Sequence, residues 1–197
     1  MKILLLCLAL VLACDAQLPL ANVLTQISGP WKTLYVSSNN LDKIAENGPF
    51  RVYMRGINVD APRLKMFFNF YVKVDGECVE KSVEGSLGQE NIINTGYEGD
   101  NVFQVVEVTP NFLLAYDFNA DDQGGMTKTV FFFGRGAHLN EEDIAKFKKL
   151  SSEKDIPEEN IIYLGDTGNC PPHCLSPSHH NPQQTSLSIT PCFLPRI

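Results

Sequence analysis

Side chains suited to acid–base, nucleophilic or metal chemistry are few in this chain and lie apart. His138 precedes a predicted helix, and the other three histidines fall in a proline-rich C-terminal segment. None lies in a strand pattern that would place it beside a nucleophile or a carboxylate, as a catalytic constellation requires. The spacing in the C-terminal segment matches no zinc signature either: His173, Cys174, His179 and His180. We therefore expect no enzyme, no metal site and no cofactor.

Apolar side chains, many of them aromatic, alternate with polar ones in several short segments. Alternation with period two gives a β-sheet one apolar face. Such a face can be ordinary core, or it can be the wall of a site for a small apolar molecule. Parity along the segments selects seven candidate wall residues: Phe50, Val52, Met54, Phe68, Phe70, Phe131 and Phe133.

The elements that position these residues are strands separated by turns between Trp31 and Gly134. Turns are indicated at residues 75–76, 99–100 and 124–125, where Gly stands beside Asp or a second Gly. In one segment the apolar row is expected to run from Leu64 to Val72. Several short strands at close spacing indicate a sandwich or a closed barrel. The pattern predicts strands over residues 50–58, 64–73, 79–84, 91–97, 102–108, 112–118 and 127–133.

A single helix follows the predicted strands. Asn140 is a good N-cap, and the acidic residues 141–143 lie where the helix dipole favours negative charge. The apolar stripe of this helix should pack on the outside of the sheet, and its lysines should form a solvated face. The stripe consists of Ile144, Phe147 and Leu150.

The N-terminus has the pattern of a secretory signal peptide. Lys2 precedes an apolar run over residues 3–13, which is shorter than the roughly 20 residues that cross a bilayer. Cleavage after Ala16 would leave Gln17 as the new terminus, and cleavage after Ala13 is the alternative. A buried N-terminal helix is disfavoured because no polar residue gives the run a helical face. We expect a secreted, extracellular protein without membrane insertion, with a signal peptide over residues 1–16.

Beyond the signal peptide we expect one domain over residues 17–170 and a flexible tail over residues 171–197. The tail is rich in Pro, Ser and His and has no hydrophobic period. The net charge of −7 disfavours nucleic acid as a partner, because phosphates would be repelled. The same charge favours a monomer or a weak dimer.

Four cysteines remain after removal of the signal peptide. In an oxidising compartment they are expected to form disulfides, and four cysteines allow three pairings between which these residues do not choose. They are Cys78, Cys170, Cys174 and Cys192.

Several ordered motifs resemble those of the lipocalins. Residues 29–31 (Gly-Pro-Trp) resemble the Gly-x-Trp signature, and Arg135 resembles the late arginine of that family. Residues 42–51, 97–103 and 159–162 resemble segments of rodent odorant-binding and urinary pheromone carriers. A cysteine pair found in some odorant-binding members is absent near Val59 and Arg63, which favours the urinary and salivary carriers. The resemblance covers about residues 27–170.

The resemblance implies an all-β fold with one C-terminal helix, an eight-stranded antiparallel up-and-down β-barrel with a hollow interior. It implies that Arg135 packs over Trp31 at the closed end, and that Cys78 pairs with Cys170. Cys174 and Cys192 would then pair with each other or stay labile. The resemblance also adds three residues to the wall: Val83, Phe103 and Ala115.

Three polar residues could lie near such a cavity. Tyr97 or Tyr116 could orient a polar ligand end, although either could equally be a surface residue. Strict alternation from Ala115 points Asp117 inwards, where an unpaired carboxylate is unfavourable. We therefore expect either a β-bulge that turns Asp117 outwards or contact with water at the barrel mouth.

These features together favour a secreted carrier of small hydrophobic molecules, such as odorants or pheromones. The alternative is a secreted interaction or regulatory protein of the same family, with a filled barrel and no transport role.

Overall fold

The computed structural model describes residues 24, 26–88, 92–136, 140–165 and 170. The expected signal peptide (1–16) and tail (171–197) lie outside these residues. So do the four histidines, Cys174 and Cys192.

The described residues form one antiparallel sheet that curls into a barrel. Its strand order is β1-β3-β4-β5-β6-β7-β8-β9-β2-β10, so β3 to β9 follow one another as an up-and-down meander. With β2 they are the eight strands of the expected barrel, and β1 and β10 are short additions at its edges. The strands are β1 (Gly29–Pro30), β2 (Lys32–Ser38), β3 (Tyr53–Asp60), β4 (Lys65–Val74), β5 (Glu77–Leu87), β6 (Ile92–Thr95), β7 (Asp100–Val108), β8 (Phe112–Ala120), β9 (Met126–Gly134) and β10 (Ile161–Tyr163).

Strand β4 follows the predicted alternation over almost its whole length. Met66, Phe68, Phe70 and Val72 are buried, and the residues between them are partly exposed. Leu64 was expected to begin this inward row, and that expectation is wrong. It ends a short 3-10 turn in the left-handed conformation, with φ of 53°, and its side chain is 56% exposed.

Strand β3 begins later than predicted, at Tyr53, so that Phe50 and Val52 belong to the loop before it. Both are nevertheless buried in the barrel core. A bulge between Met54 and Gly56 shifts the pairing with β4, so the inward row continues at Ile57. Bulges bend a strand and increase its twist, which helps a sheet to close.

The barrel closes where β2 approaches β3. The Trp31 amide donates to the Arg55 carbonyl at 3.1 Å, and the Met54 amide donates to Thr33 Oγ1 at 3.0 Å. Beneath this junction the Arg135 guanidinium lies 3.7 Å from the centroid of the Trp31 ring, as the resemblance implied. Gly29, with φ of 124°, permits this close approach because a Cβ there would lie 3.2 Å from the guanidinium.

A second apolar layer lies outside the barrel. Helix α1 is a short turn at Leu41–Ile44, and helix α2 (Glu141–Glu153) is the predicted one. Asn140 caps α2 by accepting a 2.8 Å hydrogen bond from the Asp143 amide. Phe147 and Leu150 of the predicted stripe pack against outward residues of β8 and β9, whereas Ile144 is only half-buried and lies outside this cluster.

A disulfide joins Cys78, at the start of β5, to Cys170, with 5.6 Å between the Cα atoms. The pairing implied by the resemblance is therefore confirmed. No helix among the described residues is long and apolar enough to cross a membrane.

Candidate ligand-binding cavity

The inward side chains enclose a cavity of about 60 Å³ between the closed end and the opposite end of the barrel. Nine of the ten predicted wall residues line it. Ala115 is fully buried in the barrel core but is not among the residues that line this cavity, so its part in ligand binding stays a prediction. The lining consists of Phe50, Val52, Met54, Phe68, Phe70, Val83, Thr95, Tyr97, Asn101, Phe103, Asp117, Phe131 and Phe133.

Much of the wall is a chain of aromatic contacts. The Phe68 and Phe103 rings are 5.1 Å apart and edge-to-face, and Phe103 also contacts Phe131 at 6.4 Å. The Phe131 and Phe133 rings stack at 5.5 Å. Such contacts fix the rings relative to one another and leave few hydrogen-bonding groups on this side. The wall therefore selects apolar molecules by size and shape.

The loop between β2 and β3, residues 39–52, crosses the end of the barrel opposite Trp31. Tyr97 Oη donates to the Pro49 carbonyl at 3.0 Å, and Phe50 packs edge-to-face on Tyr97. Lys43 forms a 3.5 Å ion pair with Asp121 in the β8–β9 turn, and Lys73 forms a 2.9 Å pair with Glu46. These contacts hold the loop over that end of the cavity.

Polar side chains gather at this covered end. Thr95 on β6 pairs with Asn101 on β7, which in turn pairs with Asn119 on β8. The Asn101 amide donates to the backbone carbonyls of Thr95, Tyr97 and Gly99, at 3.2, 2.6 and 3.1 Å. Asn119 donates to Asn101 Oδ1 at 3.0 Å and to the Glu98 carbonyl at 3.1 Å. The two amides therefore brace the β6–β7 hairpin.

Asp117 points into the barrel and is only 3% exposed. The pairing of β8 with β9 is regular from Phe112 to Ala120, so no bulge turns the carboxyl group outwards. The expected bulge is therefore wrong, and at 3% exposure the carboxyl group does not lie open to solvent at the barrel mouth. Burial raises the pKa of Asp117 to about 7, because the charged form is poorly solvated there.

The two tyrosines considered as ligand contacts lie on different faces. Tyr97 lines the cavity, and burial raises the pKa of its hydroxyl. Tyr116 packs with the outer layer, where the Lys154 ammonium lies 4.2 Å from its ring centroid. Tyr116 therefore does not face the cavity.

The model of the Lipocalin / cytosolic fatty-acid binding protein family matches residues 28–168, which include the whole barrel and α2. The chain belongs to the lipocalin family.

Known lipocalins resemble this one along most of its length. The female-specific lacrimal gland protein of Mesocricetus auratus is 34% identical over 169 residues, covering 86% of this chain and 98% of that protein. A crystal structure of a dog lipocalin allergen is 71% identical with a TM-score of 0.73, covering 75% of this chain and 99% of that one. A complex of bovine odorant-binding protein with undecanal is 36% identical with a TM-score of 0.54, covering 70% and 88%.

Sequence reasoning missed two residues of this lipocalin's cavity, Thr95 and Asn101. Thr95 ends β6, which has only four residues, too few to establish a period. Asn101 is polar in a row that is otherwise apolar, so the alternation gave no reason to place it inside. The ladder that pairs Thr95 with Asn101 fixes both positions, and it is a property of the fold rather than of either segment.

Proposed function

We propose that this lipocalin is a secreted carrier that holds a small hydrophobic molecule in the barrel cavity. The observation that carries the proposal is the cavity itself, a space enclosed mainly by Phe, Val and Met side chains beneath a braced loop. Apolar pockets with a few polar groups are the usual form of small-molecule sites. Nine of the residues assigned to the ligand from sequence are on its wall.

Known relatives support the same function. The bovine odorant-binding protein, 36% identical, has been crystallised with undecanal. The hamster relative carries the name of a gland that secretes fluid. We accordingly propose a signal peptide over residues 1–16, a barrel domain over 17–170 and a tail over 171–197. We further propose that the barrel binds its ligand without chemical conversion.

The cavity volume limits the first ligands to test. At about 60 Å³ it is smaller than the ~150 Å³ engineered cavity that holds benzene. A ligand larger than a few heavy atoms therefore requires the aromatic rings or the 39–52 loop to move. Small single-ring molecules require the smallest rearrangement and are therefore the best first probes, and longer chains require a larger one.

The test is a titration with an apolar fluorescent dye followed by displacement with ethylbenzene. A carrier takes up the dye in a saturable way, and ethylbenzene releases it. A folded protein that takes up neither dye nor ethylbenzene would overturn the carrier function and favour the filled-barrel interaction protein. Calorimetric titration with ethylbenzene alone distinguishes two reasons for a failure of dye uptake. If only the dye is too large, ethylbenzene still binds; if the barrel is filled, ethylbenzene does not bind either.

A further inference from the structure

The covered end of the cavity contains more hydrogen-bond acceptors than donors. We call the inward side chains of Thr95, Asn101, Asp117, Asn119 and Thr129 the polar pole. They occupy two adjacent levels of the ladder, since Asp117 pairs with Thr129, and Asn119 pairs with Asn101. Thr95, Asn101 and Asp117 are on the cavity wall itself.

The donors around the polar pole are already used. The Asn101 amide donates to backbone carbonyls, and the Asn119 amide donates to the Glu98 carbonyl and to Asn101 Oδ1. The Tyr97 hydroxyl donates to the Pro49 carbonyl. Of the five side chains of the pole, Thr95 and Thr129 retain a hydroxyl hydrogen to offer, and Asp117 carries one only when it is protonated.

Four oxygen atoms of the pole are buried and have no hydrogen-bond partner among the described residues. Two of them can only accept: the amide oxygen of Asn119, and the carboxylate oxygen of Asp117 when that group is ionised. They are Thr95 Oγ1, Asp117 Oδ1, Asn119 Oδ1 and Thr129 Oγ1. Buried polar atoms are nearly always paired, so four such oxygens together call for a donor from outside the chain.

No cation among the described residues lines the cavity with Asp117. Strand β7 presents Phe103 and Asn101 to this region, β9 presents Thr129 and Phe131, and β6 presents Thr95. The loop above contributes Phe50, and Tyr97 is the only other titratable group on the wall. Tyr116, beside Asp117 in sequence, points to the outer layer. The carboxyl group thus faces aromatic rings, hydroxyls and amides.

We propose that the polar pole binds the ammonium group of a small primary amine, with Asp117 as its counter-ion and the amine's apolar body against the aromatic wall. The proposal rests on the carrier function and specifies its ligand class. An ammonium offers three N–H donors and a positive charge, whereas a hydroxyl offers one donor and a carbonyl none. Hydrogen bonds between charged partners are also the stronger ones.

The energetics favour this ligand because the carboxylate is already desolvated when the protein folds. When two ions leave water together, the free energy of removing their hydration often cancels their attraction. Here only the amine loses its hydration on binding. Since burial raises the pKa of Asp117 to about 7, the carboxylate form predominates only above neutral pH. Amine binding should therefore strengthen as the pH rises through 7.

Three probes of equal size test the proposal by calorimetry: benzylamine, benzyl alcohol and ethylbenzene. At pH 8.5 we expect benzylamine to bind about tenfold more tightly than ethylbenzene, a difference of ~1.4 kcal/mol. At pH 5.5, with Asp117 protonated, the ratio should fall below about threefold. Benzyl alcohol, which has no charge, should bind less tightly than benzylamine at pH 8.5.

The variant Asp117→Asn removes the charge and keeps the side-chain shape, so the amine-to-hydrocarbon ratio should fall close to one at pH 8.5. The control Asp122→Asn removes an exposed carboxylate in the β8–β9 turn and should keep the ratio of the unsubstituted protein. If Asp117→Asn does not fold, the pH dependence of the ratio in the unsubstituted protein decides the question.

Three outcomes overturn the inference while the carrier function stands. In the first, ethylbenzene binds but benzylamine binds no more tightly at pH 8.5. In the second, benzyl alcohol binds as tightly as benzylamine at pH 8.5. In the third, the preference for the amine persists unchanged at pH 5.5. If none of the three probes binds to folded protein, the carrier function fails and the inference fails with it.

Discussion

The Arg135 guanidinium covers the Trp31 ring at 3.7 Å and also donates to the carbonyls of Ile27, Ser28 and Pro30. Trp31 in turn donates from Nε1 to the Ile27 carbonyl at 2.7 Å and is 3% exposed. These contacts tie the segment before β2 to the end of β9. Neither residue lines the cavity, so we expect the pair to stabilise the barrel without contacting a ligand.

Trp31→Ala should lower the free energy of unfolding by about 3–5 kcal/mol, because it removes a large buried ring and leaves a hole beneath Arg135. Urea denaturation measures this loss. Dye affinity per folded molecule should change little. A variant that keeps full stability but loses dye binding would place Trp31 in the ligand site and contradict the assignment.

Phe68→Glu should abolish dye uptake, because it places an unpaired charge among the aromatic rings of the wall. Lys65→Glu is the matched control, since it introduces the same residue on the same strand. The position is half-exposed, and the native lysine forms an ion pair with Glu84. Fluorescence titration of both variants, with folding checked by circular dichroism, measures the difference. Equal losses in folded protein would mean that the inward face of β4 is wrongly assigned.

The alternation of β4 predicted its inward row well because ten residues continue without interruption. The pattern failed at Leu64, where the chain leaves a 3-10 turn in the left-handed conformation before the strand begins. It also could not locate the bulge after Met54, because a bulge depends on the partner strand. Local periodicity therefore identifies a strand's face but not its ends or irregularities.

The polar pole shows a different limit of sequence reasoning. Alternation did point Asp117 inwards. Because a buried carboxylate is unfavourable, we expected the side chain to turn outwards or to contact water. The structure keeps the regular register and raises the pKa of Asp117 to about 7, which lessens the penalty near neutral pH. The direction of this side chain could be predicted from the sequence. Its raised pKa could not, because the pKa depends on the burial of the group in the folded barrel.

The Cys78–Cys170 disulfide should stabilise the barrel by about 4 kcal/mol in the chain-entropy account, because it closes a long loop. The bond spans a sequence separation of 92 and fastens the C-terminal segment to the start of β5. Peptide mapping without reduction should recover these two cysteines in one linked fragment. A fragment joining Cys78 to Cys174 or Cys192 would contradict the pairing.

The last prediction concerns stability and pH at Asp117. Its pKa rises from 3.8 to about 7 on folding, so the folded state holds a proton that the unfolded state has released between these values. The folded protein is therefore stabilised by this group below pH 3.8, and the stabilisation is lost as the pH rises through 7.

Asp117→Asn mimics the protonated form and does not titrate. From pH 4.5 to pH 8 the stability of the variant relative to the unsubstituted protein should rise by about 3 kcal/mol. Urea denaturation of both proteins at the two pH values, without ligand, gives this double difference and cancels the titration of every other group. The control Asp122→Asn removes an exposed carboxylate in the β8–β9 turn and should not reproduce this double difference. If Asp117→Asn tracks the unsubstituted protein at both pH values, the Asp117 carboxylate is well solvated in the folded state, and the counter-ion role proposed for it loses its basis.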